Sequence, residues 1–69
     1  MYIVMFINSE GKSRQIGKVK TPIQAYCAIN KFLEEHHFKS YYTRTWQTNE
    51  KTTVVDVGSH TEFFQIIEQ

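Results

Sequence analysis

The sequence predicts an α+β two-layer sandwich. A four-stranded antiparallel sheet is roofed on one face by a single long helix, with elements in the order β-β-α-β-β-α. Three observations lead there. An unbroken apolar run opens the chain at positions 2–7. The Thr21-Pro22 step begins a segment with helical periodicity. The stretch from Tyr41 to Val57 is dense in Tyr, Thr, Trp and Val, residues that suit strands. A length of 69 residues leaves room for one small domain over 1–69, with a marginal core.

Tyr2-Ile3-Val4-Met5-Phe6-Ile7 is apolar at every position instead of alternating, the pattern of a strand central in its sheet and covered on both faces. Asn8 to Lys12 is a hairpin loop in which Gly11 supplies a positive φ. Ser13 to Lys20 has only Ile16 and Val19 to pack, is interrupted by Gly17 and is rich in charge, so it is expected at a sheet edge.

Thr21 is a good N-cap, Pro22 fits the first helical turn and Gln24 completes a T-x-x-Q capping box. The helix is expected to run to about His37. Ala25, Ala28, Ile29, Phe32, Leu33 and His36 fall on one side, and Asn30, Lys31 and Glu34 on the other.

Tyr41–Thr48 and Lys51–Val57 read as a hairpin turning at Asn49-Glu50. That turn would pair Thr48 with Lys51, Trp46 with Thr53, Arg44 with Val55 and Tyr42 with Val57. One face would then carry Tyr42, Arg44, Trp46, Val55 and Val57, the better core candidate although Arg44 sits in its middle. Ser59 and Glu62 form an S-x-x-E capping box before Phe63, Phe64, Ile66 and Ile67, which reads as a short docked helix. A fifth strand from Glu62 to Ile67 is the alternative.

Composition narrows the function classes. Hydrophobic residues at 41% and aromatics at 14% are too many for a disordered chain. The single Cys excludes an internal disulfide framework, and no apolar run is long enough for a transmembrane or signal segment. A soluble cytoplasmic protein is therefore expected. The formal charge of +1 argues against binding polyanions by bulk charge. The charge is segregated, however: residues 1–33 hold five basic residues and one acidic, and residues 34–69 three basic and six acidic.

Lys12, Arg14, Lys18 and Lys20 share one parity, so a regular strand would project them to one face, where they could follow a phosphate backbone or meet an acidic protein. The plainer reading is an edge strand guarded by charge. Tyr42, Arg44 and Trp46 could form an aromatic and cationic surface for base stacking or protein contact, or a half-buried brace.

The histidines do not make a metal site. His36 and His37 would point about 100° apart on a helix, and a zinc site wants three or four ligands. His36 closes the apolar stripe, His37 suits the helix C-terminus and His60 neighbours a cap. Cys27 has no local base or oxyanion donor. Walker, nucleophile-elbow and dinucleotide motifs are missing. No cofactor, metal or small-molecule substrate is expected, and an enzyme is disfavoured.

Tyr42-Thr43-Arg44-Thr45-Trp46, followed by Val55-Asp56-Val57-Gly58-Ser59-His60-Thr61-Glu62-Phe63-Phe64, resembles the C-terminal half of small uncharacterised proteins from phages and prophages of Gram-positive bacteria. The resemblance implies a small accessory protein in a bacterial cytoplasm and no mechanism. The expectation is a non-enzymatic interaction module that self-associates as a homodimer. A nucleic-acid-binding accessory protein using the basic second strand is the alternative.

Overall fold

The computed structural model describes residues 1–36, 43–58 and 62–69. It is an α+β fold with five strands and one helix: β1 (Tyr2–Ile7), β2 (Ser13–Val19), α1 (Pro22–Glu35), β3 (Arg44–Asn49), β4 (Thr52–Asp56) and β5 (Phe63–Glu68). All pairings are antiparallel, and the sheet order is β2-β1-β5-β4-β3.

The expected four-stranded sheet and terminal helix are thus corrected. The last segment is a strand, the alternative reading of Glu62 to Ile67, and the order is β-β-α-β-β-β. A strand, not a helix, follows Glu62, and Ser59 of the S-x-x-E motif lies outside the described residues. The physical reason is pairing. β5 hydrogen-bonds with β1 on one side and β4 on the other, so it alone joins the β1–β2 hairpin to the β3–β4 hairpin. A helix there would leave both neighbours with an unpaired edge, and the aromatic and β-branched side chains of Phe63-Phe64-Gln65-Ile66-Ile67 fit a pleated sheet.

The first hairpin forms as expected. Asn8 Oδ1 accepts from the Glu10 and Lys12 amides at 3.0 Å each, and Gly11 takes φ 81°. β2 is an edge strand, also as expected. α1 starts at the predicted cap: Thr21 Oγ1 accepts from the Gln24 amide at 3.2 Å. The Gln24 side chain returns to the Lys20 amide at 3.0 Å, one residue before the usual partner. The helix ends at Glu35, with His36 as C-cap, and its ring lies 4.1 Å from that of Phe32. His37 and His60 lie outside the described residues.

The core lies between α1 and one sheet face. Val4, Phe64, Ile66 and Val55 meet Ala25, Ile29, Phe32 and Leu33. Phe6, Phe32 and Phe64 make a ring cluster with centroids 4.7 to 5.6 Å apart. Gly17 lies beneath the helix, where a Cβ would stand 3.5 Å from Ala28 Cβ.

The β3–β4 register departs from expectation. The turn is Glu50-Lys51, with Asn49 facing Thr52 and Asn49 Oδ1 accepting from the Lys51 amide at 2.9 Å. An irregularity between Gln47 and Asn49 takes back part of that shift, leaving a net slip of one residue. Arg44 therefore faces Asp56, Thr45 faces Val55 and Trp46 faces Val54. Because side chains alternate, one residue of slip moves Arg44 and Trp46 off the Val55 face onto the opposite one. The proposed core face of Tyr42, Arg44, Trp46, Val55 and Val57 does not exist as a unit. Tyr42 lies outside the described residues.

Candidate interaction face

Cross-strand partners share a face of the sheet, so the pairings define which side chains stand away from α1. Gln15, Met5, Gln65, Val54 and Trp46 form one row across all five strands. Ile3 and Ile67 lie on one side of it, flanked by Lys18 and Thr52. Ile7 and Phe63 lie on the other, flanked by Ser13. The Arg44–Asp56 pair occupies the same face at the β3 edge.

Seven apolar side chains, Ile3, Met5, Ile7, Val54, Phe63, Ile67 and Trp46, therefore gather on the face that carries no helix. α1 lies on the other face. Ile3, Met5, Ile7, Phe63 and Ile67 are half-buried, Val54 is buried at 8% exposure and Trp46 is 44% exposed. Ser13, Gln15 and Lys18 line the β2 edge, and Asn49, Thr52 and Arg44 lie toward the β3 side. An apolar centre with a polar rim is the layout of a protein interface.

At the β3 edge, Arg44 Nη2 donates to Asp56 Oδ2 at 3.1 Å, and the Gly58 amide donates to Asp56 Oδ1 at 2.9 Å. The Asp56 side chain is only 7% exposed, and these charge-assisted bonds compensate its desolvation. Gly58 adopts φ 94°, a left-handed conformation that glycine tolerates without strain. The expected Arg44–Val55 pairing hid this ion pair. Direct cross-strand attraction between opposite charges was the signal that could have revealed it.

The basic second strand does not form one line of cations. Met5 faces Gln15 whereas Val4 faces Gly17, so a β-bulge at Ile16 interrupts the alternation. Arg14 faces Phe6, on the helix side, and Lys18 faces Ile3, on the bare side. The shared parity of Lys12, Arg14, Lys18 and Lys20 is therefore broken in space. Lys12 also lies 3.7 Å from Glu10 as an exposed pair. Instead, Lys18 and Lys20 join Lys31 of α1 around a shallow groove of about 590 Å³ that also touches Gln24 and the exposed Cys27. Among the described residues no three His, Cys, Asp or Glu side chains gather as a metal site, and no helix is long and apolar enough to cross a membrane.

No family model matches the chain, and neither a curated protein nor a solved structure shows significant similarity to it.

Proposed function

We propose that the protein is a non-enzymatic interaction module that self-associates through the bare face of its sheet, in the role of a small accessory protein of phage type. The observation that carries this reading is the apolar centre around Met5, Val54, Phe63 and Ile67, flanked by polar residues on the side of the sheet opposite α1.

A second copy is the favoured occupant for two reasons. A small domain with one helix has a thin core, and a second sheet supplies the missing layer by sheet-on-sheet packing. The area also approaches the lower limit of a specific interface. Strand spacing and rise give a face of roughly 20 by 20 Å, so two faces bury about 800 Å² in plan and on the order of 1,000 Å² once side-chain relief is added, the minimum such an interface must clear.

Sedimentation equilibrium at micromolar concentrations tests this. The expected mass is twice the 8.2 kDa of one chain. Ile67→Lys on the bare face should give a folded monomer. A wild-type monomer across that range would overturn the reading.

A second reading, nucleic-acid binding, is favoured by the groove that collects Lys18, Lys20 and Lys31. It predicts oligonucleotide binding that weakens steeply with salt and is lost on joint charge reversal at Lys18 and Lys31. No binding to single- or double-stranded DNA or RNA at low salt discards it.

A further inference from the structure

We infer that Gln65 sets the register of a face-to-face homodimer, its carboxamide pairing with that of the same residue in the second copy. This rests on the self-association proposed above and assigns one residue the task of choosing a single arrangement.

Gln65 is central in both directions. β5 is the middle strand of the five, and Gln65 is the middle one of its three residues on the bare face, Phe63, Gln65 and Ile67. Its cross-strand neighbours are Met5 and Val54, both apolar. The centre of an otherwise apolar patch is thus a half-buried glutamine.

Symmetry makes that position special. In a face-to-face twofold dimer the axis lies in the plane between the sheets. When two copies overlap fully, the axis crosses the patch centre whichever in-plane direction it takes. The residue at the centre then meets its own mate in every such arrangement. Its neighbours do so for only one direction of the axis.

A carboxamide is suited to meeting itself, because it carries both donors and acceptors. Two facing amides can satisfy each other. A shifted register, or an apolar partner, would bury each amide against Met5 or Val54 without a partner. The central Gln therefore penalises wrong arrangements, as a single polar residue does in a coiled-coil seam.

The test is sedimentation equilibrium of wild type, Gln65→Glu and Gln65→Lys, each checked for folding by circular dichroism. At neutral pH each variant alone should lose dimer affinity by about a hundredfold or more, because like charges would face each other in a dry centre. An equimolar mixture of the two should recover a dimer. Acidification should restore the Glu variant alone, since two protonated carboxyls can again pair.

If the wild type is a dimer and both charged variants dimerise as tightly as it does, the central role of Gln65 is overturned and self-association stands. If the wild type is a monomer, both fall. Should the charged variants not fold, isotope-filtered NMR on a mixture of labelled and unlabelled wild type decides. Intermolecular contacts between Gln65 side-chain amides support the inference, and contacts of Gln65 only with other side chains of the second copy overturn it.

Discussion

The two faces of the sheet are built from nearly the same residue types and meet different fates. On one face Val4, Phe64, Ile66 and Val55 lie beneath α1 and are buried. On the other, Ile3, Met5, Phe63 and Ile67 have comparable hydrophobicity and stay half-buried. β1 and β5 supply apolar side chains to both. Apolar character therefore does not by itself decide which face becomes the core here. The helix makes that distinction, because one helix covers only one side of a sheet.

Substitutions on the two faces should separate folding from association. The largest effect is expected from Phe64→Ala, which empties the ring cluster beneath the helix. A cost of about 3–5 kcal/mol is comparable to the whole stability of a small domain, so urea denaturation should find it largely unfolded. Its neighbour Phe63→Ala, half-buried on the opposite face, should lower the unfolding midpoint of the dilute protein clearly less than Phe64→Ala while weakening self-association.

A sharper contrast lies within the ion pair. Asp56→Ala removes a buried acceptor that bonds Arg44 and the Gly58 amide and should cost about 2 kcal/mol in urea unfolding. Arg44→Ala removes a cation whose side chain is 65% exposed and should cost under about 1 kcal/mol through the surface pair itself. A loss as large as that for Asp56 would mean that the carboxylate depends on Arg44 more than on the Gly58 amide.

Thr21→Ala removes the cap that starts the covering helix and should lower stability by about 1 kcal/mol, read as a fall in thermal midpoint. The smallest effect is expected at Gly17. A Cβ there would make ordinary contact with Ala28, so Gly17→Ala should be neutral or stabilise by up to about 1 kcal/mol in the same measurement. Marked destabilisation would show that helix and edge strand need a closer approach than 3.5 Å between those positions.

Much of the local architecture can be read from residues near one another in the chain. The Asn8–Lys12 loop, the Thr21 cap, the apolar stripe of α1 and the edge character of β2 all follow from chemistry within a few positions. The unbroken apolar run of β1 also marks an interior strand, as its place between β2 and β5 bears out, whereas among the described residues α1 covers only one of its two faces. The site was harder to see. Arg44 and Trp46 do stand on an exposed surface, but with Val54 and Asp56 as neighbours, because one residue of slip in a hairpin exchanges the faces. The expected line of cations failed for a related reason: one extra residue at a bulge reverses every later side chain.

The chain's own residue pattern settled the class of fold, the place of the helix and the first hairpin, since capping, turn and periodicity signals act over a few residues. The position of β5 between two hairpins, the register of β3 against β4 and the gathering of an apolar patch around Gln65 were settled only when distant segments met. Strand pairing is a choice among partners far apart in sequence. Small shifts in that pairing change which side chains share a face far more than they change the propensity of any one strand.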